Sequence, residues 1–396
     1  MAKLRICPYC FEEFNASEIM FRCGNTKCKN ENDPVLAKFW GDMRRALPSF
    51  PGKKTGLFGT GIPESGICPE CGQSSSNMIC PHCHNRIPKE MVENKGYIIS
   101  IIGARSSGKT NYITVLIDQL SKQLSKLGGL AIMASAVADE PKYRTSVRYY
   151  EDFYNILYRK KTCPAQTPTG DKKNRVPLIY RLTSANKKAP TVHLVFYDTA
   201  GENFNDPQNI KDNVKFINKS DAFIFLLDTF QIRYVKDKLG LPDEQGDLKY
   251  DAILENIVSH FIEGDKSEKK AHFAKPMALT FSKIDAIISQ PELFEDTAIP
   301  GMSMQQNSPF LDGHGLSLKD IDSVSDGIAQ ALNLWGESDF KQNIANNYKN
   351  YKFFGISALG QKPNADNVIE RISPYRVLDP IIWILHELKY PMLIRE

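Results

Sequence analysis

One stretch constrains this chain more than any other: YIISIIGARSSGKTNYITVLIDQLSKQL, residues 97–124. Its first six residues are apolar and β-branched, as a strand buried on both faces must be. Its last fourteen carry apolar residues at helical spacing. Between them Gly103, Gly108, Lys109 and Thr110 complete the pattern G-x-x-x-x-G-K-[ST]. Strand, glycine loop, helix is the context in which that pattern has chemical meaning. The glycines let backbone N–H groups turn inward around a phosphate chain, and the helix adds the positive end of its dipole. Ser106, Ser107 and Asn111 belong to the same cradle. In this arrangement Lys109 reaches the β- and γ-phosphates and Thr110 ligates Mg2+.

A second metal ligand is required, and TVHLVFYDTAGE supplies it. The apolar run Val192 to Tyr197 ends in Asp198, and ligands of doubly wound sheets sit at the carboxyl ends of strands. Gly201 then offers its N–H to the γ-phosphate. Two later strands bear on the base. KPMALTFSKID ends in Ser282, Lys283, Ile284 and Asp285; YKFFGISALG ends in Ser357, Ala358 and Leu359. The Asp285 carboxylate can accept the N1 and N2 protons of guanine, a pair of donors that adenine lacks. Lys283 lies along the base plane in this reading.

DTAGE resembles the switch motif of small and translational GTPases, SKID resembles [NT]-K-x-D with serine first, and SAL resembles the S-A-x loop whose backbone meets the guanine oxygen. From Tyr97 to about Tyr390 the chain resembles a Ras-like P-loop GTPase of the translation-factor-related class, and more narrowly the bacterial double-GTPase families. The resemblance implies a doubly wound, mostly parallel α/β sheet, GTP or GDP with Mg2+, GTP hydrolysis, and a role in bacterial defence or conflict operons with co-encoded protein partners. Cysteine-rich modules ahead of the domain and the phrase RVLDPIIWIL (residues 376–385) support the narrower match. One phosphate loop is present, so a second GTPase would be a separate chain.

The sequence departs from that pattern in places. The first switch needs a threonine before the strand VPLIYRL (176–182); Thr162, Thr167 and Thr169 all qualify, and Thr167 is favoured. Where small GTPases carry the water-orienting glutamine, this chain has Glu202, which accepts a proton from water but repels the γ-phosphate. Catalysis is therefore assigned to Lys109, Thr167 and Glu202, with turnover that is slow, uses another residue or needs a partner. Arg105, inside the loop, reads as a solvent-facing residue with an internal arginine finger as its alternative. LAIMASAV reads as an added strand, residues 141–160 as a helix with core aromatics, and Gln290 to Gly315 as an inserted loop.

Eight of the nine cysteines fall in the first 83 residues, as the pairs Cys7/Cys10, Cys23/Cys28, Cys68/Cys71 and Cys80/Cys83. This is the spacing of structural zinc knuckles, two thiolates from each and two knuckles per ion. Two closed Zn2+ sites are expected. The simplest pairing is sequential, the first knuckle with the second and the third with the fourth; a crossed pairing uses the same ligands. Cys163 reads as inert, and His82 and His84 as surface residues. The expected organisation is a zinc ribbon over 1–33, a basic Pro/Gly-rich connector over 34–66, a second ribbon over 67–94 and the GTPase domain over 95–396.

A net charge of +4 on 396 residues, 42% hydrophobic, is that of an ordinary globular chain and demands no polyanionic partner. No apolar run reaches membrane-spanning length, and MAKLRICPYC has no apolar signal core, so a cytoplasmic protein with reduced cysteines is expected. The zinc modules are read as recruiting a protein first and nucleic acid second, the latter because Arg44, Arg45, Lys53 and Lys54 lie among Phe39, Trp40, Phe50 and Phe58. Two rivals remain: an ATPase tied to nucleic acid, and an adaptor that holds GTP without turnover.

Overall fold

The computed structural model describes residues 4–56, 61–94, 96–103, 107–164, 176–198, 217–242, 250–263, 270, 273–294 and 307–395. Nine short strands build the N-terminal lobe: β1 (Leu4–Ile6), β2 (Glu13–Asn15), β3 (Met20–Arg22), β4 (Glu31–Asn32), β5 (Arg45–Ala46), β6 (Ser49–Pro51), β7 (Gly66–Ile67), β8 (Ser74–Ser75) and β9 (Asn77–Ile79). β3 runs antiparallel between β6 and β9, so three distant pieces of sequence share one small sheet.

The 34–66 stretch is therefore not a free connector. It opens with α1 (Pro34–Trp40), whose N-cap Asp33 accepts the Leu36 N–H and whose end is turned by Gly41 at φ 73°. Trp40 and Phe50 are buried. Each such ring contributes about 1.5–3 kcal/mol by leaving water, enough to fold the segment onto its neighbours.

After α2 (Lys89–Glu93) the main sheet begins with β10 (Gly96–Gly103), followed by α3 (Lys109–Gln123) and the strands β11 (Leu130–Ala134), β12 (Leu178–Ser184), β13 (Val192–Asp198), β14 (Ala222–Asp228) and β15 (Met277–Ser282). β16 (Leu316–Ser317) pairs with β18 (Ile394–Arg395); β17 (Tyr351–Gly355) completes the sheet. The order is β11-β12-β13-β10-β14-β15-β17. β10 is parallel to both neighbours, β14, β15 and β17 are mutually parallel, and β11 and β12 form an antiparallel edge. This is the expected mostly parallel α/β sheet, with LAIMA as the added strand. The chain leaves β10 toward one edge and returns to build the other, so the crevice beyond the carboxyl end of β10 is the topological switch point.

Alternation of side chains sends each strand to two cores. Ile99, Ile101, Ile224 and Leu226 pack with α3 and with the helix Asp379–Glu387. Ile98, Ile102, Phe223 and Phe225 share the other core with the helices Tyr250–Glu263 and Leu318–Leu334. The N-terminal lobe belongs to that second core, through Cys7, Tyr9, Phe14 and Phe21.

Residues 138–143 add further contacts to the lobe. Tyr143 stacks on Trp40 at 4.8 Å and 23°; Arg44 binds Glu140 at 2.5 Å; Arg22 lies 3.3 Å from Asp139. The Arg44 guanidinium also sits 4.7 Å over the Trp40 ring. Of the residues that suggested a base-stacking face, Phe39, Trp40, Arg44 and Phe50 are thus engaged within the protein, Arg45, Lys53 and Lys54 are exposed, and Phe58 lies outside the described residues. The helical segment Thr145–Arg159, widened to i→i+5 turns from Tyr149 onward, packs on α3 through Phe153 and Leu157, with the Tyr149 hydroxyl on the Thr114 carbonyl at 2.8 Å.

Candidate functional site: two cysteine clusters and a phosphate loop

The cysteine pairing is crossed. Cys7, Cys10, Cys80 and Cys83 form one cluster, and Cys23, Cys28, Cys68 and Cys71 the other, with all four sulfurs of each within 4.8 Å of one another. The sequential pairing is corrected, and so is the picture of two successive ribbons: each cluster takes one knuckle from either side of 34–66. The cause is β3. It leads into Cys23 while pairing with β9, which leads into Cys80, so the first and last knuckles close on each other and the middle two are left together.

Three knuckles turn the same way, with the residue after the second cysteine in the left-handed region: Phe11 at φ 58°, Gly72 at 71°, His84 at 57°. The first cysteine's carbonyl accepts that residue's N–H at 3.0, 2.9 and 3.0 Å. All nine cysteines are free thiols. Sulfur separations of 3.7 Å (Cys7–Cys83), 3.8 Å (Cys10–Cys80), 3.6 Å (Cys23–Cys71) and 4.0 Å (Cys28–Cys68) exclude disulfides. A tetrahedron of such edges has a centre-to-vertex distance of about 2.2–2.5 Å, which brackets the Zn–S bond of about 2.3 Å. The donor sets therefore fit zinc. Burial pushes the Cys7 and Cys83 thiols up, while hydrogen bonds, chiefly from Cys7, pull Cys10 down.

His84 is not a surface residue. Its Nδ1 lies 2.9 and 2.8 Å from the two Asp33 oxygens, and Arg22 reaches the same carboxylate at 3.3 Å. Against the cost of burial, the His84 hydrogen bond and charge hold Asp33 down at about 2. This triad joins the residue after one cluster to the residue before the other.

At the phosphate loop, β10 ends at Gly103 and α3 starts at Lys109. A Cβ on Gly103 would lie 2.6 Å from the Leu226 carbonyl, so nothing larger fits beside β14. Gly108 caps α3 at φ 81°, a conformation glycine adopts without strain. The buried Lys109 ammonium donates to the Gly103 carbonyl at 2.8 Å, folded back over the loop. Among the described residues the Ser107 hydroxyl is buried without a hydrogen-bond partner, an orphan that a bound phosphate chain would satisfy. Thr110 and Asn111 occupy the first turn of α3. Asp198 ends β13 in register with Ile101 of β10, which sets the end of β13 beside the strand that leads into the phosphate loop.

The ends of β15 and β17 converge on the same crevice. Ser282 Oγ donates to the Ser107 carbonyl at 3.0 Å and lies 3.2 Å from the Leu227 carbonyl, so this serine ties its strand to the phosphate loop. Lys283 stands at φ 59°, pairs with Asp228 at 2.7 Å and lies 4.8 Å over the Phe230 ring. Asp285 opens the single turn Asp285–Ile288. The Ile284 N–H donates to the Ile356 carbonyl at 3.1 Å, joining this segment to the next. Ser357 accepts the Gly360 N–H on its hydroxyl at 2.8 Å and exchanges two backbone bonds with Tyr375, which places Ala358 and Leu359 at the turn between.

Sequence reasoning missed Asp228 and Phe230. The signal was an acidic residue at the carboxyl end of the strand beside β10. Cys163, taken as inert, receives the Asn111 side-chain N–H at 3.5 Å and has its thiol pushed up by burial. Thr162 pairs with Val368. Arg105, Ser106, Thr167, Thr169, Gly201 and Glu202 lie outside the described residues, as does the Asp198 side chain.

A glycine loop at the switch point of a doubly wound sheet, with two further strand ends turned toward it, defines a P-loop domain of the GTPase class. Residues 97–287 match the Double-GTPase 2 family model, and the paired cysteine clusters lie ahead of that span. The chain is similar, at 24% identity over 401 residues covering 96% of it and 97% of the relative, to the "Putative ESX-1 scaffolding and assembly protein SaeC" of Mycolicibacterium smegmatis. Among solved structures it is similar to the Arl6 BBS3 small GTPase of Trypanosoma brucei with a bound nucleotide analogue, at 10% identity, TM-score 0.30, over 75% of this chain and 100% of that one. It is likewise similar to the Ski7 GTPase-like domain of S. cerevisiae bound to GTP, at 14% identity, TM-score 0.33, over 75% and 50%. Among the described residues no helix is long and apolar enough to cross a membrane.

Proposed function

We propose that this protein is a Mg2+-dependent guanine-nucleotide switch that hydrolyses GTP, and that its zinc-bound lobe, two Zn2+ in crossed four-cysteine sites, serves protein assembly. The observation that carries the nucleotide reading is the convergence of three separate strand ends on one crevice: Gly103 to Asn111, Ser282 to Asp285, and Ser357 to Leu359. In this reading the ammonium of Lys109 leaves the Gly103 carbonyl for the β- and γ-phosphates. The loop N–H groups from Ser106 to Thr110 hold the phosphates, with Asn111 flanking them. Thr110 and Asp198 hold the metal, Gly201 meets the γ-phosphate, and Thr167 and Glu202 serve the switches. Asp285 reads guanine N1 and N2, Lys283 lies along the base, and the backbone at Ser357, Ala358 and Leu359 meets the guanine oxygen. Bound Mg2+ supplies neutralisation of the charge that develops between β- and γ-phosphates.

The domain division, corrected for the crossed clusters, is a single zinc lobe over 1–94 and a nucleotide domain over 95–396. A protein partner is favoured over nucleic acid because Trp40, Phe50 and Arg44 are used inside the fold. The name of the relative, a scaffolding and assembly protein, points the same way; a defence or conflict setting in the cytoplasm rests on family likeness. That name also favours a second reading, an adaptor that holds GTP without turnover, with Glu202 repelling the γ-phosphate. The test is phosphate release from GTP with Mg2+, followed to many turnovers, for wild type and Lys109→Ala. Release that the variant lacks supports hydrolysis. Tight GTP binding with no release from wild type overturns hydrolysis and leaves the adaptor.

A further inference from the structure

Tyr197, the residue before Asp198, is 5% exposed and does not end in the sheet's own core. Its hydroxyl lies 3.1 Å from the Pro8 carbonyl and 3.4 Å from that of Tyr9. Both carbonyls belong to the tight turn between Cys7 and Cys10, the first knuckle of the first cluster. Its ring packs on Phe11, the left-handed residue that closes the same turn, at 5.2 Å. The turn's shape is fixed by the Phe11 N–H on the Cys7 carbonyl and by the Tyr9 N–H on Cys7 Sγ, so it depends on where Cys7 and Cys10 are held. In the other direction β13 gives Tyr197 little freedom: Tyr197 pairs with Ser100 and Asp198 with Ile101 in the register that sets the carboxyl end of β13 beside the phosphate loop.

We infer that Tyr197 is a positioning residue that clamps the end of β13 to the Cys7–Cys10 zinc knuckle, so that the lobe holds the magnesium edge of the nucleotide site in place. The inference rests on the proposed guanine-nucleotide function and gives the lobe a role beyond recruitment. A buried tyrosine hydroxyl on a knuckle carbonyl is a short mechanical link, one residue from the proposed metal ligand. Loss of a hydrogen bond of this kind changes an equilibrium by about three- to tenfold.

The same chain contains its own control. Tyr390, also buried, sets its hydroxyl 3.2 Å from the Pro190 carbonyl, just before the opposite end of β13. Tyr197→Phe and Tyr390→Phe therefore delete the same group from the two ends of one strand. The experiment measures the affinity of a fluorescent GDP analogue with Mg2+ and with EDTA, for full-length wild type and both variants, with zinc content checked. Tyr197→Phe is expected to lower the Mg2+/EDTA affinity ratio about three- to tenfold while leaving the affinity in EDTA unchanged; Tyr390→Phe is expected to leave the ratio unchanged. Cys10→Ser, which loosens the knuckle itself, is expected to lower the ratio at least as far. An unchanged ratio in Tyr197→Phe, or an equal fall in Tyr390→Phe, overturns the clamp while leaving the nucleotide reading intact. A wild type whose guanine-nucleotide binding ignores Mg2+ overturns both.

Discussion

Zinc stoichiometry in cysteine double variants decides the crossed pairing directly. The perturbation is Cys10→Ser combined either with Cys80→Ser or with Cys28→Ser. Cys10 and Cys80 lie 3.8 Å apart in one cluster, whereas Cys28 belongs to the other. A structural zinc contributes about 10–16 kcal/mol of apparent binding free energy in small zinc peptides, and loss of one thiolate opens the closed site. Each single variant should therefore retain one tightly held zinc per chain, released only on denaturation, as read by a colorimetric chelator. The pair Cys10→Ser/Cys80→Ser damages one site twice and should still retain one; the pair Cys10→Ser/Cys28→Ser damages both and should retain none. X-ray absorption on wild type should give a single sulfur shell near 2.3 Å, the bond length that the 3.6–4.0 Å sulfur edges enclose. Sequential pairing reverses the two stoichiometries, and that reversal would refute the crossed arrangement and the three-strand sheet that explains it.

Two further outcomes are expected. His193 is buried, and burial pushes its imidazole down to about 4, below the ordinary value near 6.5. Its folded pKa is depressed, so its contribution is complete above pH 6.5 and is lost as pH falls toward 4, with about 2 kcal/mol gone at pH 5; chemical denaturation of wild type and His193→Leu at pH 7 and pH 5 should show the variant losing that much less, and equal losses would contradict the assignment. Asp228→Asn leaves Lys283 without its 2.7 Å carboxylate, and should weaken guanine-nucleotide binding by about tenfold, measured by fluorescence titration; unaltered affinity would remove Asp228 from the site.

The nucleotide domain was legible because its signals are local. The β-branched run before Gly103, the helical spacing after it and the acidic or polar residues closing later strands each depend on neighbours a few residues away. The pairing of the knuckles was not legible. Spacing fixes which two cysteines share a turn, but which turns meet is set by β3 lying between β6 and β9, a contact across 27 to 59 residues. The 34–66 stretch was read as a linker from its proline and glycine content. Asp33 before Pro34 and Gly41 after Trp40 were nonetheless a start and stop signal for a helix. Asp228 went unassigned because its role comes from Lys283, 55 positions away. His84 was read as exposed for the same reason, since Asp33 and Arg22 reach it only in the folded lobe.

The central claim, that three strand ends form one guanine-nucleotide site, is tested most directly by competition. GTP, GDP and ATP are titrated against a fluorescent guanine nucleotide with Mg2+, for wild type and Asp285→Asn. The expected result is displacement by GTP and GDP but not ATP in wild type, and a shift toward xanthine nucleotides in the variant. Equal displacement by ATP, with the variant indistinguishable from wild type, would contradict the base assignment and make the nucleic-acid-linked ATPase the leading reading.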